Sequence, residues 1–404
     1  MRYCDVAQAW HPASGGIKTY IQHKRRHVAC ETDDEHVLVV PGAWDALHEE
    51  QGGRLRTHVV ASPPIPGCAP YRLLVRPARL AAILRAERPD VIEVDNPYLA
   101  PWVAFAHRAL HPCAVTAFHH TDVPTAYVRP LVSRLAGSAA GRGASRAATR
   151  YLRAVYRRCD LVLAAATLFR RRLRRLGLGN VAEAALGVDP DTFHPDRRDP
   201  ALRGALGAAP DELVLIYTGR LDVEKRTGVL LDAFRLLPEG LRARLVLVGE
   251  GPLRERAEAC AARDPRIVVL RYQREREALA ALLASSDFYV TAAPFETFGL
   301  SVLEAQACGL AVVGVRAGAL VERVPAPLGV LATRDSAAAL AQAIAAMADT
   351  DFRERGRLAR RLLEHRYSWS AACGHLFALY RQAHARALAG RARRSLALAQ
   401  PVIR

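Results

Sequence analysis

The chain has 404 residues, 51% hydrophobic and 24% charged, with a net charge of +17. That length allows two or three domains with large cores, and the lack of any run of about 18 uncharged apolar residues argues against a membrane-spanning helix. The N-terminus, MRYCDVAQAW, lacks the apolar stretch of a signal peptide, and the eight cysteines are scattered with no C-x-x-C pair. The expectation is a cytoplasmic protein with reduced thiols, without a disulfide framework or a zinc site.

In chain order, Ser14-Gly15-Gly16-Ile17-Lys18-Thr19-Tyr20 comes first and precedes a helical pattern. Paired glycines before a helix let backbone N–H groups approach a phosphate or a sugar, although the pair alone is a weak signal. Apolar strand-like runs follow at Val37–Val40, Val91–Val94, Ala114–Phe118 and Leu161–Ala164. The third ends in Phe118-His119-His120-Thr121-Asp122-Val123-Pro124. A histidine beside a threonine and an aspartate can hydrogen-bond a sugar and tune local charge; the alternative is a structural histidine.

Between Arg129 and Arg175 stand thirteen arginines and one acid, Asp160. Arg142, Arg146, Arg150, Arg153 and Arg157 are spaced to line one helix face. Such a face suits anionic lipid head groups, or is simply solvated. A nucleic-acid partner is a poorer fit, since few aromatics interleave the arginines, Tyr151 and Tyr156 among those on the helical stretch. A second basic stretch, Arg381 to Arg404, has six arginines and no acid. Lysine occurs only at Lys18, Lys24 and Lys225, against 54 arginines. These three mark sites that need a compact ammonium, or have survived by chance.

Gly187–Asp211 holds four prolines and several aspartates and reads as an interdomain linker. The expected division is 1–190, 191–366, and a closing segment 367–404. Asp189 and Asp191 form a D-x-D pair that linker chemistry explains better than a metal. Strand-like runs resume at Leu213–Tyr217, Arg244–Val248, Ile267–Leu270, Phe288–Val290 and Ala311–Val315. Continuous apolar runs separated by helices predict buried parallel strands in two doubly wound α/β domains.

Three loops in this half carry candidate chemistry. After the first run, Gly219-Arg220-Leu221-Asp222-Val223-Glu224-Lys225 offers two cations as a diphosphate clamp, with a strand-end ion pair to Glu224 as the structural alternative. After the second comes Gly249-Glu250-Gly251-Pro252-Leu253, and after the third Tyr272-Gln273. After the fourth, Glu296 and Glu304 stand eight positions apart with Phe298-Gly299-Leu300 between them. A loop carboxylate, a helix N-terminus and a helix carboxylate would there face one ligand.

This last segment resembles the Glu-x7-Glu signature of the retaining family 4 glycosyltransferases. Gly219 to Lys225 resembles the family's Gly-Arg-Leu-x-x-x-Lys segment, and Gly249 to Pro252 its Gly-x-Gly-Pro turn. Gly187-Val188-Asp189 with Phe193-His194-Pro195 resembles its connector. Tyr367-Ser368-Trp369, with a helix from Ser370 to about Ala389, resembles its closing element. His120-Thr121-Asp122 resembles a motif of the branch that glycosylates lipid acceptors, often from GDP-mannose. The resemblance spans about residues 10–385. Departures are mild, at Ala292-Ala293, Gln306 and Ala311.

The resemblance implies a GT-B fold: two Rossmann-like domains facing a central cleft, with the C-terminal helix crossing back to the N-terminal domain. It implies retaining, metal-independent transfer of a hexose, mannose or glucose, from a nucleotide diphosphate sugar to a lipid or lipid-linked glycan. The implied catalytic residues are His120, Arg220, Lys225 and Glu296. Donor contacts would come from Gly15, Gly16, Arg220, Lys225, Gly249, Tyr272, Phe298, Gly299, Leu300 and Glu304, with Glu296 on the sugar and Glu304 on the ribose. No cofactor, metal or nucleic acid is expected. The expected partners are the donor, the acceptor and an anionic membrane surface at the inner face of the cell membrane. A sugar-nucleotide epimerase or sugar phosphorylase of the same fold is the rival reading, and a basic nucleic-acid-binding protein a remote one.

Overall fold

The computed structural model describes residues 1–10, 15–65 and 71–399. Ser14, Cys68 and Arg404 lie outside them. The chain divides into two units. Met1–Ala185 with Ser370–Arg404 make the first, and Leu186–Trp369 the second.

In the first unit the strands are β1 (Arg2–Val6), β2 (Glu35–Gly42), β3 (Ala46–Glu50), β4 (Leu55–Ala61), β5 (Val91–Val94), β6 (Ala114–Phe118), β7 (Leu161–Ala164) and β8 (Val181–Glu183). The helices are α1 (Gly16–Glu31), α2 (Pro77–Glu87), α3 (Ala100–Leu110), α4 (Arg129–Tyr156) and α5 (Thr167–Arg175). Sheet order is β3-β4-β2-β1-β5-β6-β7-β8. All pairings are parallel except β3 with β4, which departs from the all-parallel expectation. Ala114–Phe118 is therefore the sixth strand and not the third. Strand β1 escapes an apolar-run reading because Asp5 interrupts it, yet it lies mid-sheet with Cys4 paired to Val37 and Ile92. Strand β3 is hidden by its exposed, polar residues, as expected of a sheet edge.

The second unit contains β9 (Leu213–Thr218), β10 (Ala243–Val248), β11 (Ile267–Leu270), β12 (Phe288–Val290), β13 (Ala311–Val315) and β14 (Gly329–Ala332). Its helices are α6 (Pro200–Ala205), α7 (Thr227–Arg235), α8 (Arg254–Ala261), α9 (Arg276–Ala284), α10 (Leu300–Ala307), α11 (Leu320–Arg323), α12 (Ala337–Ala348) and α13 (Phe352–Arg366). The parallel order is β11-β10-β9-β12-β13-β14. Leu215, Ile216, Leu245, Val246, Tyr289 and Val313 are wholly buried, because helices cover both faces of the sheet.

The last helix, α14 (Trp369–Ala399), runs past the expected end near Ala389 and, from Ser370, belongs to the first unit. A buried polar cluster fastens it there. Lys24 Nζ donates to Asp5 Oδ1 (2.7 Å), Glu93 Oε1 (3.0 Å) and the Tyr380 hydroxyl of α14 (2.8 Å). Tyr380 in turn donates to Glu93 Oε2 (2.5 Å), and His36 meets Asp5 Oδ2 (3.0 Å). Burial works against the Lys24 charge, but Asp5 and Glu93 outweigh it and hold its pKa above the usual lysine value. One of the three rare lysines therefore serves to attach a helix.

Each sheet reverses its direction of growth once. The first does so between β1 and β5, the second between β9 and β12. In open α/β sheets, the strand C-termini at such a reversal form the ligand crevice.

Candidate active site

In the second unit, β9 ends at Thr218 and turns through Gly219. Gly249, after β10, has φ +156, and a Cβ there would stand 1.9 Å from the Gly219 carbonyl oxygen. Only glycine lets the two turns touch backbone to backbone. This contact fixes the loop that carries Arg220 and Lys225.

Arg220 pairs with Asp222 Oδ2 (2.6 Å) and with Glu224. The structural alternative, a pair with Glu224, thus exists for Arg220. Lys225 instead reaches across to the loop after β12, where Nζ lies 2.5 Å from Glu296 Oε1. Burial opposes the Lys225 charge, and Glu296 and Glu224 override it, keeping its pKa above the ordinary value. The ion pair joins the two loops that flank the β9/β12 reversal.

Beyond Glu296, Phe298 is buried and Gly299 takes φ +86 at the cap of α10. That left-handed turn aims the helix opening, from Leu300 onward, back toward the strand ends. The first N–H groups of a helix have no intrahelical acceptor and carry partial positive charge. Glu304 lies a turn further on, 6% exposed, and accepts a hydrogen bond from Arg276 Nη2 of α9. Half-buried Tyr272 stands in the loop just before Arg276. Asp189 is spent on a local turn, accepting from Asp191 N, Thr192 N and Thr192 Oγ1, which accounts for its place in a D-x-D pair.

Two supports escaped the sequence reading. Tyr289, deep in β12, donates from its hydroxyl to the Thr218 carbonyl (3.1 Å) and can accept from the Ser301 hydroxyl (3.0 Å), tying the end of β9 to the start of α10. Burial pushes its pKa up to about 12, so the phenol stays protonated. Arg276, the partner of Glu304, has no local motif to announce it. The signal for Tyr289 is a polar handle in a strand otherwise apolar on both faces.

The first unit holds the remaining expected residues. Gly15 and Gly16 are exposed at the start of α1, and Thr19 N donates to the Gly15 carbonyl (3.2 Å). His120, after β6, stacks on Phe118 at 4.2 Å and stands edge-on to Tyr20 of α1 at 5.2 Å. The glycine loop and the histidine are therefore tied to one packing unit. Burial and the nearby Lys24 charge push the His120 pKa down to about 3. A neutral imidazole can exchange hydrogen bonds but cannot supply the positive charge that the sequence left open. His119 is a core residue: its Nδ1 lies 3.2 Å from the Tyr156 hydroxyl, and burial lowers its pKa to about 4. At the β1/β5 reversal, Asp95 accepts from Gln8 N (3.0 Å) and Ala9 N (3.4 Å). Its burial raises the pKa to about 7 despite those donors.

Two parallel-sheet units with these loops at the strand C-termini define an enzyme of the GT-B class. The fold is similar to sucrose-phosphate synthase from Thermosynechococcus elongatus, with a TM-score of 0.78, 21% identity, and coverage of 95% of this chain and 99% of that one. Residues 15–187 match the glycosyl transferase 4-like domain, and residues 212–350 the glycosyl transferases group 1 model. Across 94% of this chain and 95% of the relative, it is 34% identical to a GDP-mannose-dependent alpha-(1-6)-phosphatidylinositol dimannoside mannosyltransferase of Mycobacterium tuberculosis. A GDP-mannose-dependent alpha-mannosyltransferase of Corynebacterium glutamicum is 29% identical over 80% of this chain and 74% of that protein. The chain belongs to the group 1 glycosyltransferases and is a hexosyltransferase.

Proposed function

We propose that this enzyme transfers mannose from GDP-mannose to a lipid-linked mannoside, keeping the anomeric configuration and using no metal ion. The observation that carries this reading is the meeting of Lys225 and Glu296 at the β9/β12 reversal, beside the opening of α10. A diphosphate seated there would find the Lys225 ammonium, the Arg220 fork and the α10 N–H groups. Together they neutralise the charge that develops on the leaving group, the work a metal does in other folds. Glu296, drawn from Lys225 by the incoming phosphate, accepts hydroxyl groups of the sugar. Glu304 accepts the ribose hydroxyls, and the Tyr272 loop flanks the base. In the first unit, neutral His120, packed edge-on to Tyr20 of α1, would hydrogen-bond a sugar.

The names of the two mannosyltransferase relatives support GDP-mannose as donor, and the first of them supports a phosphatidylinositol mannoside as acceptor. A lipid acceptor places the enzyme on a membrane surface. No helix among the described residues is long and apolar enough to cross a membrane. Arg142, Arg146, Arg150, Arg153 and Arg157 are all exposed on or beside α4, and Leu131 and Leu135 near its start are 60% and 77% exposed. The helix breaks at Ala136 and Gly137, so the exposed leucines precede the break and the cations follow it; the two together favour an anionic interface at the inner face of the cell membrane.

The test is slow donor hydrolysis across a panel of GDP- and UDP-sugars in the presence of EDTA. Turnover of GDP-mannose above the others is expected. Hydrolysis confined to UDP-sugars, or complete dependence on Mg²⁺ or Mn²⁺, would overturn the donor assignment or the metal-free reading respectively.

A further inference from the structure

We propose that Arg323 is a positioning residue for the transfer reaction. It holds the Glu296–Leu300 loop in register and, through Tyr367, fastens that loop to the segment by which the chain leaves the second unit. This inference rests on the donor-site reading above.

Arg323 ends α11 and is 6% exposed. Its Nε donates to the Phe298 carbonyl (3.1 Å), and Nη1 donates to the Tyr367 hydroxyl (2.5 Å). The guanidinium carbon lies 4.3 Å from the Phe298 ring centre and 4.8 Å from that of Tyr367. One planar cation thus serves two oxygens and two aromatic rings. Guanidinium can do this and ammonium cannot, because only the former is a rigid fork with stacking faces.

The same segment grips the loop again. Ala319 N donates to the Glu296 carbonyl at 2.7 Å. Gly318 has φ +55, and a Cβ there would sit 2.5 Å from that carbonyl oxygen. The Arg323 carbonyl accepts from Gln306 Nε2 of α10 at 2.8 Å. The backbone of Glu296, the backbone of Phe298 and the body of α10 are therefore all fixed from residues 318–323. Arg323 is buried behind the loop, so it acts on the donor through Phe298 and Gly299.

The Tyr367 carbonyl accepts from Val188 N at 2.8 Å, and Ser368 bridges to Val188. A Cβ on Gly187 would lie 2.6 Å from the Trp369 backbone nitrogen. The chain enters the second unit at Leu186 and leaves it at Trp369. The brace thus runs from the donor loop to the place where both crossings meet.

The test compares donor KM, acceptor KM, kcat and melting temperature for the wild type, Arg323→Met, Arg323→Lys and Tyr367→Phe. Arg323→Met should raise donor KM and lower kcat by about tenfold or more while acceptor KM stays put, the signature of a displaced donor loop. Arg323→Lys should fail to restore either value. Tyr367→Phe keeps the ring and should give a smaller rise in donor KM. Added to Arg323→Met, it should bring no further rise, because both act in one brace. A merely structural role would lower the melting temperature and leave donor KM alone. Wild-type turnover combined with unchanged donor KM in the folded variants overturns this inference by itself. Absence of wild-type turnover with any nucleotide sugar overturns the donor-site reading, and this inference with it. Should Arg323→Met not fold, unchanged donor KM in Tyr367→Phe is enough to overturn it.

Discussion

Glu304 is buried and already holds a cation, Arg276, before any ligand arrives. Replacing it by glutamine removes a charged acceptor and leaves Arg276 half-satisfied. Calorimetry with GDP should show binding weakened by ~1–3 kcal/mol, the range for a hydrogen bond to a charged group; unchanged affinity would remove Glu304 from the ribose. His120 yields a pH prediction. Its folded pKa of about 3 lies below the unfolded value of about 6.5. The unfolded chain therefore binds more protons below pH 6.5. Stability is full above that pH and is lost as pH falls toward 3. Each such histidine contributes a slope of about 1.4 kcal/mol per pH unit. His119, lowered to about 4 by burial, adds to it. Urea unfolding between pH 6.5 and 4.5 should show the slope reduced by one proton in His120→Gln; an unaltered slope would contradict the buried neutral imidazole. At this scale the sequence made the loop residues legible, because glycine, acid and cation spacing is local. Arg276, Tyr289 and Arg323 were not legible, since their partners lie 28, 71 and 25 positions away.

Among the elements, most strands that could be read were largely apolar and buried on both faces; β5 was read despite Glu93, and the half-buried edge strand β11 from its apolar run alone. Strand β1 was lost to Asp5, whose charge is answered by Lys24 of α1 and His36 of β2. No local pattern reports that kind of compensation. The cluster supports a stability prediction. Lys24→Met would leave Asp5 and Glu93 buried without their cation, which should cost about 3–5 kcal/mol, measured by denaturant unfolding. A loss below about 1 kcal/mol would mean that the carboxyls simply take up protons and that α14 needs no ionic anchor. Gly249→Ala probes the other sheet. Its Cβ would collide with the Gly219 backbone, so the turns must part and nucleotide binding should fall. Gly204→Ala in α6, where a Cβ meets nothing within 4 Å, should be neutral or stabilising by about 1 kcal/mol. Equal GDP affinity in both variants would count against the Gly219–Gly249 contact as a support of the site.

For the whole molecule, the α/β class and the two-sheet plan followed from the alternation of apolar runs and helices. The antiparallel β3 edge did not, because edge strands need not be apolar. The charge of +17 has its physical outlet on α4. Each basic residue near an anionic surface adds about 1 kcal/mol, and screening limits the reach to ~8 Å at physiological salt. Co-sedimentation should therefore favour anionic over neutral liposomes, fall with salt, and fall further when Arg142, Arg146, Arg150 and Arg153 become glutamine; equal recovery on both liposomes would favour a soluble acceptor.

The central claim is that loops at the β9/β12 reversal drive glycosyl transfer without a metal. It is tested most directly by incubating the enzyme in EDTA with GDP-mannose and a phosphatidylinositol mannoside, and reading the product's anomeric configuration by NMR. The account predicts an α-mannoside, formed by the wild type and reduced by about a hundredfold or more in Lys225→Met, the scale of losing one transition-state charge contact. A β-linked product, transfer only after Mg²⁺ or Mn²⁺ is restored, or full activity in Lys225→Met would contradict it.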